Sequence, residues 1–425
     1  MKNNIIIRNA HIVSPQGKSA RKGEQMGQLL SIEKGLIEIT KGIITYAGPA
    51  SDYTEPAAAA SYEELDAQGS CVLPGFVDSH THPIFGGERS EELSWRLKGE
   101  SYMSIMNKGG GIMNTVRATR ECSLSDLVAQ GKVFLRRMLA MGVTTVEGKS
   151  GYGLDKLTEL RQLEAMHQLQ ADAEVAVDVV STYMGAHALP VEYQGQMEAY
   201  LRFMNEEVLP VVKEKNLAEF VDVFCEEGVF SIEESRRILQ HAKELGFKLK
   251  LHADEIVSLG GAELAAELGA YSADHLLHAS DRGIAAMAEQ GVVATLLPLT
   301  AFSLKEEYAR GRAMIDAGCA VALATDLNPG SCFSGSIPLT IALACIYMQM
   351  SVEETITALT LNGAAAIDRA DRLGSIEIGK QGDLVLLSSD NYHILPYYIG
   401  MNSVQTVIKG GKVVHTSPYS YTKQN

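Results

Sequence analysis

Short apolar runs alternate with helical stretches along most of the chain. β-Branched and apolar runs at 71–77, 143–146, 175–182, 220–225, 247–251, 271–274, 292–297 and 320–324 read as buried strands. Helical periodicity falls between them at 154–169, 232–245, 280–290 and 306–317, and again at 337–350 and 352–369 after the last strand. Strand–helix units repeated eight times in series predict a closed parallel barrel of the TIM type, (β/α)8. An open doubly wound sheet would need a glycine-rich phosphate turn directly after its first strand. Gly86-Gly87 and Gly109-Gly110-Gly111 do not fit that pattern.

The two ends have a different texture. Ile5-Ile6-Ile7, Leu36-Ile37-Glu38-Ile39 and Ile43-Ile44-Thr45-Tyr46 are short strand runs separated by turn residues, and 382–387 and 404–414 repeat the pattern in the tail. Neither piece holds enough strands for a stable sheet of its own. The ends are therefore expected to pair as one small β-sandwich domain, built from residues 1–70 and 370–425. The barrel, 71–369, is inserted between them, and the fold class is α/β.

Composition narrows the function. With 425 residues, 46% hydrophobic and 21% charged, the chain can bury a large core and is not disordered in general. Lysine plus arginine number 37 against 52 acids, a net charge of −15 that argues against a nucleic-acid partner. No apolar run approaches the ~18 residues that span a bilayer, and the Ile5–Ile7 run after Lys2 is too short for a signal peptide. No membrane partner and a cytoplasmic location are expected. The six cysteines are scattered without a CxxC pair, which reads as reduced thiols rather than a disulfide scaffold or zinc knuckle.

In a barrel, chemistry collects where strands end. The first run leads into Asp78-Ser79-His80-Thr81-His82, and residues two apart on an extended chain project to one side. His80 and His82 can thus reach one metal ion at about 2.0–2.1 Å. An HxH pair in isolation reads as ordinary surface or core histidines. Here the fifth run leads into His252-Ala253-Asp254-Glu255, the sixth into Asp274-His275 and the eighth into Thr325-Asp326. Neutral imidazoles with a carboxylate suit zinc or ferrous iron rather than magnesium. His11, His167, His241, His393 and His415 read as solvated, and no motif gives Glu226 or Glu227 a task.

This constellation resembles the metal-dependent amidohydrolase superfamily over essentially the whole chain. The marks are Pro74-Gly75-Phe76-Val77-Asp78-Ser79-His80-Thr81-His82 and Gly382-Asp383-Leu384-Val385. Within it the sequence is similar to the imidazolonepropionase family. That closer match is carried by Phe85-Gly86-Gly87-Glu88-Arg89, Gly109-Gly110-Gly111-Ile112, Glu147-Gly148-Lys149-Ser150-Gly151-Tyr152-Gly153, Met184-Gly185-Ala186-His187-Ala188, His252-Ala253-Asp254-Glu255 and Asp326-Leu327-Asn328-Pro329-Gly330-Ser331.

The resemblance implies metal ligands at His80, His82, His252 and Asp326. They would hold one divalent or ferric transition metal ion per chain, zinc ahead of iron. It places substrate contacts at Arg89, Tyr152, His187, Glu255, Asn328, Gly330 and Ser331, with His275 near the reacting centre. The implied reaction is hydrolysis of the ring C–N bond of 4-imidazolone-5-propanoate to N-formimidoyl-L-glutamate, in histidine degradation, by a homodimer. Asp326 and His275 would take or orient the proton of the attacking water, and Glu255 would pass one to the leaving nitrogen. The other reading of Glu255 is an acid favoured at a helix N-terminus. Arg89 suits the propanoate arm, and Tyr152 and His187 suit the ring. Asn328, Gly330 and Ser331 offer donors, or form a simple Asn-Pro-Gly turn. Lys149 differs from binuclear relatives, in which a modified lysine bridges two metals. A single ion is expected, with a bridging Lys149 the minor alternative. Leu299-Thr300-Ala301-Phe302 matches less closely and is given no role. Two rivals remain: an aminohydrolase releasing ammonia from a ring, and a non-catalytic scaffold, which would have lost ligands that this chain retains.

Overall fold

The computed structural model describes residues 4–56, 61–100, 108 and 110–418. Gly109, one residue of the expected glycine triplet, and Met1–Asn3 lie outside the described residues. Five strands come first: β1 (Ile5–Ser14), β2 (Leu30–Thr40), β3 (Ile43–Pro49), β4 (Glu63–Asp66) and β5 (Cys71–Pro74). Next come β6 (Phe76–Thr81), β7 (Val143–Lys149), β8 (Asp178–Ala186), β9 (Phe220–Cys225), β10 (Lys248–Ala253), β11 (Ser272–His275), β12 (Val293–Leu296) and β13 (Ala320–Leu323). The last three are β14 (Leu384–Leu387), β15 (Val404–Lys409) and β16 (Lys412–Thr416).

Strands β6 to β13 pair in chain order and every ladder is parallel, giving the expected eight-stranded barrel sheet. Their residues are buried on both faces, which is why the sequence shows unbroken apolar runs rather than alternation. The seam between β13 and β6 is closed by main-chain bonds just past the strand ends. The Asp326 N–H donates to His80 O at 3.0 Å, and the His82 N–H donates to Leu327 O at 2.8 Å. Below them the Asp78 carboxylate accepts the Thr325 N–H at 3.0 Å and the Thr325 hydroxyl at 2.6 Å.

The ends of the chain form a second eight-stranded sheet, ordered β16-β15-β14-β5-β1-β2-β3, with β4 also paired to β1. Its inner core mixes both ends of the sequence: Ile5, Ile7, Ile12, Ile37 and Ile39 pack with Leu384, Leu386 and Ile408. The β3 edge is met by the segment that leads into β14. Ile44 N–H donates to Lys380 O and Gly382 N–H to Gly42 O, both at 2.8 Å. The ends pair because each supplies only half of one core.

The expected single strand at 71–77 is two strands in two sheets. β5 runs parallel to β1 and antiparallel to β14, and the chain then crosses into the barrel as β6. The crossing is at Gly75, whose N–H donates to Asp383 O at 2.8 Å. A Cβ there would lie 2.6 Å from Thr144 Cγ2, so only glycine lets the backbone pass this close to the Thr144 side chain. The apolar run continues through the crossing, which hid the change of sheet.

Helices cover the barrel largely where the periodicity puts them. Ile232–Glu244 begins with a capping box, the Glu234 N–H donating to Ser231 Oγ at 3.3 Å and the Ser231 N–H to Glu234 Oε2 at 2.7 Å. The stretch expected at 306–317 is shorter, Gly311–Asp316, and is preceded by Pro298–Leu304, which Lys305 ends in a left-handed conformation (φ 62°). The stretch at 352–369 is helical over Val352–Thr357, widens by one residue per turn over Ala358–Asn362 and closes at Gly363–Ala366. Between β6 and β7 the chain makes helices Ser90–Leu97, Ile112–Glu121 and Leu124–Leu139, which the strand-by-strand reading passed over. No helix of the described residues is long and apolar enough to cross a membrane.

Gly75→Ala is expected to cost about 1–3 kcal/mol by overpacking against Thr144. Thr144→Ala in the same chain should restore part of that loss. Urea unfolding of the four variants of the cycle checks the coupling.

Candidate metal centre and active site

At the C-terminal end of the barrel the expected residues come together. His80 is the last residue but one of β6 with His82 one residue beyond that strand, His252 lies in β10, His275 ends β11 and Asp326 follows β13. All five are buried. The His80 ring centroid lies 5.4 Å from that of His82, 4.5 Å from His252 and 5.3 Å from His275. Asp326 Oδ1 lies 3.5 Å from His80 Nε2 and 3.7 Å from His82 Nε2. Two sets of donors, His80–His82–Asp326 and His80–His252–His275, have ligand atoms within 4.8 Å of one another. His80 Nε2 is buried with no hydrogen-bond partner. A fully buried imidazole nitrogen aimed at two other rings and a carboxylate fits a bound cation.

Backbone strain accompanies this convergence. Asp254 (φ 49°), His275 (φ 74°), Leu276 (φ 62°) and Asp326 (φ 52°) are left-handed non-glycine residues, all at or just past strand ends. Such conformations persist only where the surroundings over-determine them, and they gather at functional sites. Asp254 shows how one turn is held. Its Oδ1 accepts the N–H groups of Leu259, Gly260 and Gly261 at 2.9, 2.8 and 3.0 Å, and its Oδ2 accepts that of Ala262 at 2.9 Å.

The rings are kept neutral. Burial drives His80, His82 and His275 well below the ordinary imidazole range, and neighbouring cations and imidazoles add to the effect. Neutral imidazole is the form that binds a metal. A layer of charge beneath them fixes their orientation. His80 Nδ1 lies 2.6 Å from Asp274 Oδ2, which leaves Nε2 free toward the centre. Asp222 Oδ1 accepts the His252 N–H at 3.1 Å, and its Oδ2 lies 3.0 Å from His252 Nδ1, off the line of a hydrogen bond. Thr300 donates its hydroxyl to Asp326 Oδ2 at 2.6 Å. Burial, with lesser opposing contacts, raises the Asp326 carboxyl to about 6.

Lys149 lies in this layer, fully buried. Its Nζ donates to Glu147 Oε1 at 2.8 Å and Asp222 Oδ2 at 2.6 Å, and lies 3.5 Å from Asp274 Oδ2. Burial acts to remove its proton, but Asp222, Glu147 and Asp274 outweigh that and hold the ammonium charged. The unmodified ammonium is thus a counter-ion to three buried acids. Lys250, also buried, lies 3.6 Å from Asp274 Oδ2 and donates to Ser79 O at 3.2 Å.

The remaining candidates surround the centre. His187 stacks on His82 at 5.3 Å, its Nδ1 is 3.1 Å from Gly151 O, and burial takes its pKa to about 3. The Tyr152 ring lies 5.8 Å from His82 and 5.2 Å from His187, in a loop tied by Glu159 to the N–H groups of Gly151, Gly153 and Leu154. Glu255 Oε1 is 3.5 Å from His275 Nδ1. Burial, then Asp326 and Glu226, push the Glu255 carboxyl up to about 8. Arg89 is mostly buried, with Nε and Nη2 on Glu92. The Asn328 side chain is engaged locally: Nδ2 donates to Asp326 O and Ser331 Oγ, and Oδ1 accepts the N–H groups of Gly330 and Ser331. Those two N–H groups, expected as donors for a ligand, thus serve the turn.

Several residues of the site have no role assigned by the sequence. Asp222 reads as a single acid in a strand, Asp274 and Glu147 fall within motifs that give them no task, and Thr300 falls where the resemblance is weakest. Glu226 now has a contact, accepting the Ile256 N–H at 2.8 Å beside Glu255. A polar cleft of about 410 Å³ at the opposite end of the barrel contains Asp178, Glu219 and Arg369. There Arg369 pairs with Glu219 and Asp178 with Lys409.

The model of the amidohydrolase family matches residues 71–414. The chain is 69% identical over 411 residues to a protein named imidazolonepropionase from Bacteroides thetaiotaomicron, covering 97% of this chain and 99% of the relative. A protein of the same name from Bacteroides fragilis is 66% identical over 411 residues, with the same coverage. Among solved structures, guanine deaminase from E. coli aligns over 97% of this chain and 99% of its own with a TM-score of 0.73. At 16% identity this shows a common fold alone.

Lys149→Met should leave Glu147, Asp222 and Asp274 without their shared counter-ion. A loss of about 3–5 kcal/mol in urea unfolding is expected.

Proposed function

The chain belongs to the amidohydrolase family, and we propose that it acts as an imidazolonepropionase. It hydrolyses the ring C–N bond of 4-imidazolone-5-propanoate to give N-formimidoyl-L-glutamate, a step of histidine degradation. The observation that carries this reading is identity of 56–69% over nearly the whole chain to proteins of that name. The same resemblance suggests a cytoplasmic homodimer, and sedimentation of the purified protein tests the dimer.

In this reading His80, His82, His252 and Asp326 hold one transition metal ion, zinc ahead of iron. A metal ion of this kind lowers the pKa of water to about 7 and polarises a carbonyl oxygen. The chain's own groups do the rest. Asp326 Oδ1 and His275 take or orient the proton of the attacking water. His275 also faces the ring carbonyl oxygen as negative charge develops on it. The water oxygen bonds to the carbonyl carbon, the C–N bond breaks, and the leaving nitrogen needs a proton. Glu255 supplies it, since a carboxyl raised to about 8 is still protonated at neutral pH. The water's proton then restores Glu255. Tyr152 and His187 line the ring, and Arg89 grips the propanoate arm with paired hydrogen bonds. Asn328 shapes the turn of Gly330 and Ser331 beside Arg89.

Freshly made imidazolonepropanoate, followed by its ultraviolet absorbance, tests the activity directly. Glu255→Gln should lower kcat by roughly 10²–10⁴-fold. In the unsubstituted chain kcat should fall as pH rises through about 8, because Glu255 then loses the proton that it donates. Glu255→Gln should lack that alkaline limb. Chelation should abolish turnover, and added zinc or iron should restore it. Turnover unchanged after complete metal removal would overturn the proposed centre.

A further inference from the structure

Arg89 is gripped from one side. Its Nε and Nη2 each lie 2.8 Å from Glu92 Oε2. The same oxygen accepts the Gly111 N–H at 3.1 Å, and Oε1 accepts Asn114 Nδ2 at 3.2 Å. Glu92 is only 5% exposed. Burial acts to raise its carboxyl, yet the bonds from Arg89 and Gly111 hold it below the ordinary range, so it is an anion. One carboxylate therefore fixes Arg89 and also ties helix Ser90–Leu97 to the start of helix Ile112–Glu121.

The grip leaves Nη1 outside the bonds to Glu92. Among the described residues, Nη1 makes no hydrogen bond. It lies against Gly330, where an added Cβ would collide with it. Arg96 stands beside this pair, its Nη2 3.3 Å from Gly330 O. Two guanidiniums against one carboxylate leave one net positive charge at this rim, which a ligand carboxylate can neutralise. A side chain already fixed in place loses less freedom when it binds.

We infer that Glu92 is a positioning residue for recognition of the substrate's carboxylate: it holds Arg89 by the Nε edge and presents the Nη1 edge to the propanoate arm. The inference rests on the proposed reaction. It assigns Glu92 no contact with the ring or with the bond that breaks, so its loss should weaken binding of the arm and leave the chemical step intact.

The test compares Arg89→Ala, Glu92→Ala and Glu92→Gln on imidazolonepropanoate and on its methyl ester, which keeps the ring but lacks the anionic arm. Both Glu92 variants should raise KM for the acid by about tenfold, the effect of one charge-assisted hydrogen bond, with kcat within about twofold. Arg89→Ala should raise it at least as much, and neither Glu92 variant should change kcat/KM for the ester. If Glu92→Ala does not fold, the isosteric Glu92→Gln carries the same comparison. A raised KM in Arg89→Ala with no change in either Glu92 variant would overturn the inference. So would equal losses on acid and ester, because those would mean a general structural role. Absence of turnover by the unsubstituted, metal-loaded protein would instead overturn the proposed reaction.

Discussion

Closure of the barrel between its last and first strands is the constraint on which the rest depends. His80 and His82 leave β6 on one side of the seam, and Asp326 leaves β13 on the other. The bond from the Asp326 N–H to His80 O sets the carboxylate against the two rings. Asp78 holds the seam from below through two bonds from Thr325. Its carboxyl is wholly buried, and desolvation raises it to about 7 despite those bonds. A buried acid at a strand junction is costly unless it is bonded. Here it joins the chain's first and last barrel strands, 247 positions apart in sequence.

Above the seam lies a second constraint, charge balance in a dry interior. Four clustered imidazoles would repel one another if protonated, and burial keeps at least His80, His82 and His275 neutral. Neutral rings need partners that choose which nitrogen faces the centre. Asp274 does this for His80 through Nδ1, and Asp222 lies against His252 Nδ1 at 3.0 Å while accepting its backbone N–H. Those acids in turn need a cation, and Lys149 reaches both. Removing one member of such a group costs more than the group contributes to stability, because the remaining charges stay buried without partners. The arrangement is therefore rigid, and rigidity suits a site that must hold donors a few ångströms apart.

How far this was legible in the sequence follows from the same physics. His80, His82, His252, His275 and Asp326 stood out because each polar residue ends an apolar run, where a packed core would not place it. Asp222 and Asp274 sit inside or at the end of comparable runs, and a single acid in a strand reads either way until the ladder register sets the direction of its side chain. The Pro74-Gly75 crossing was hidden because hydrophobicity is the same on both sides of it. What fixes it is a backbone approach to Thr144, a contact between positions far apart in sequence. Asn328 and Gly330 were legible as a motif, and of the two readings offered for it the turn is the one whose bonds are present. Asn328 builds the turn, and Gly330 contributes the absence of a side chain against Arg89.

The two ends of the site are built from different materials, and this bears on how the fold divides its work. The proposed ligands hang from strand ends, with directions set by parallel ladders and by left-handed residues such as His275 and Asp326. The groups proposed to meet the propanoate arm come from loops: Arg89 from the segment before helix Ser90–Leu97, and Gly330 from the turn after β13. Loops normally hold a side chain less firmly than strands do. At this site the deficit is made up by two local anchors, Glu92 on Arg89 and Asn328 on the Gly330 turn, each bonding at least three donors. Chemistry is thus held by strands and recognition by anchored loops. Glu92 is the freer of the two anchors, because Asn328 also donates to Asp326 O at 2.8 Å and so ties the turn to a proposed ligand.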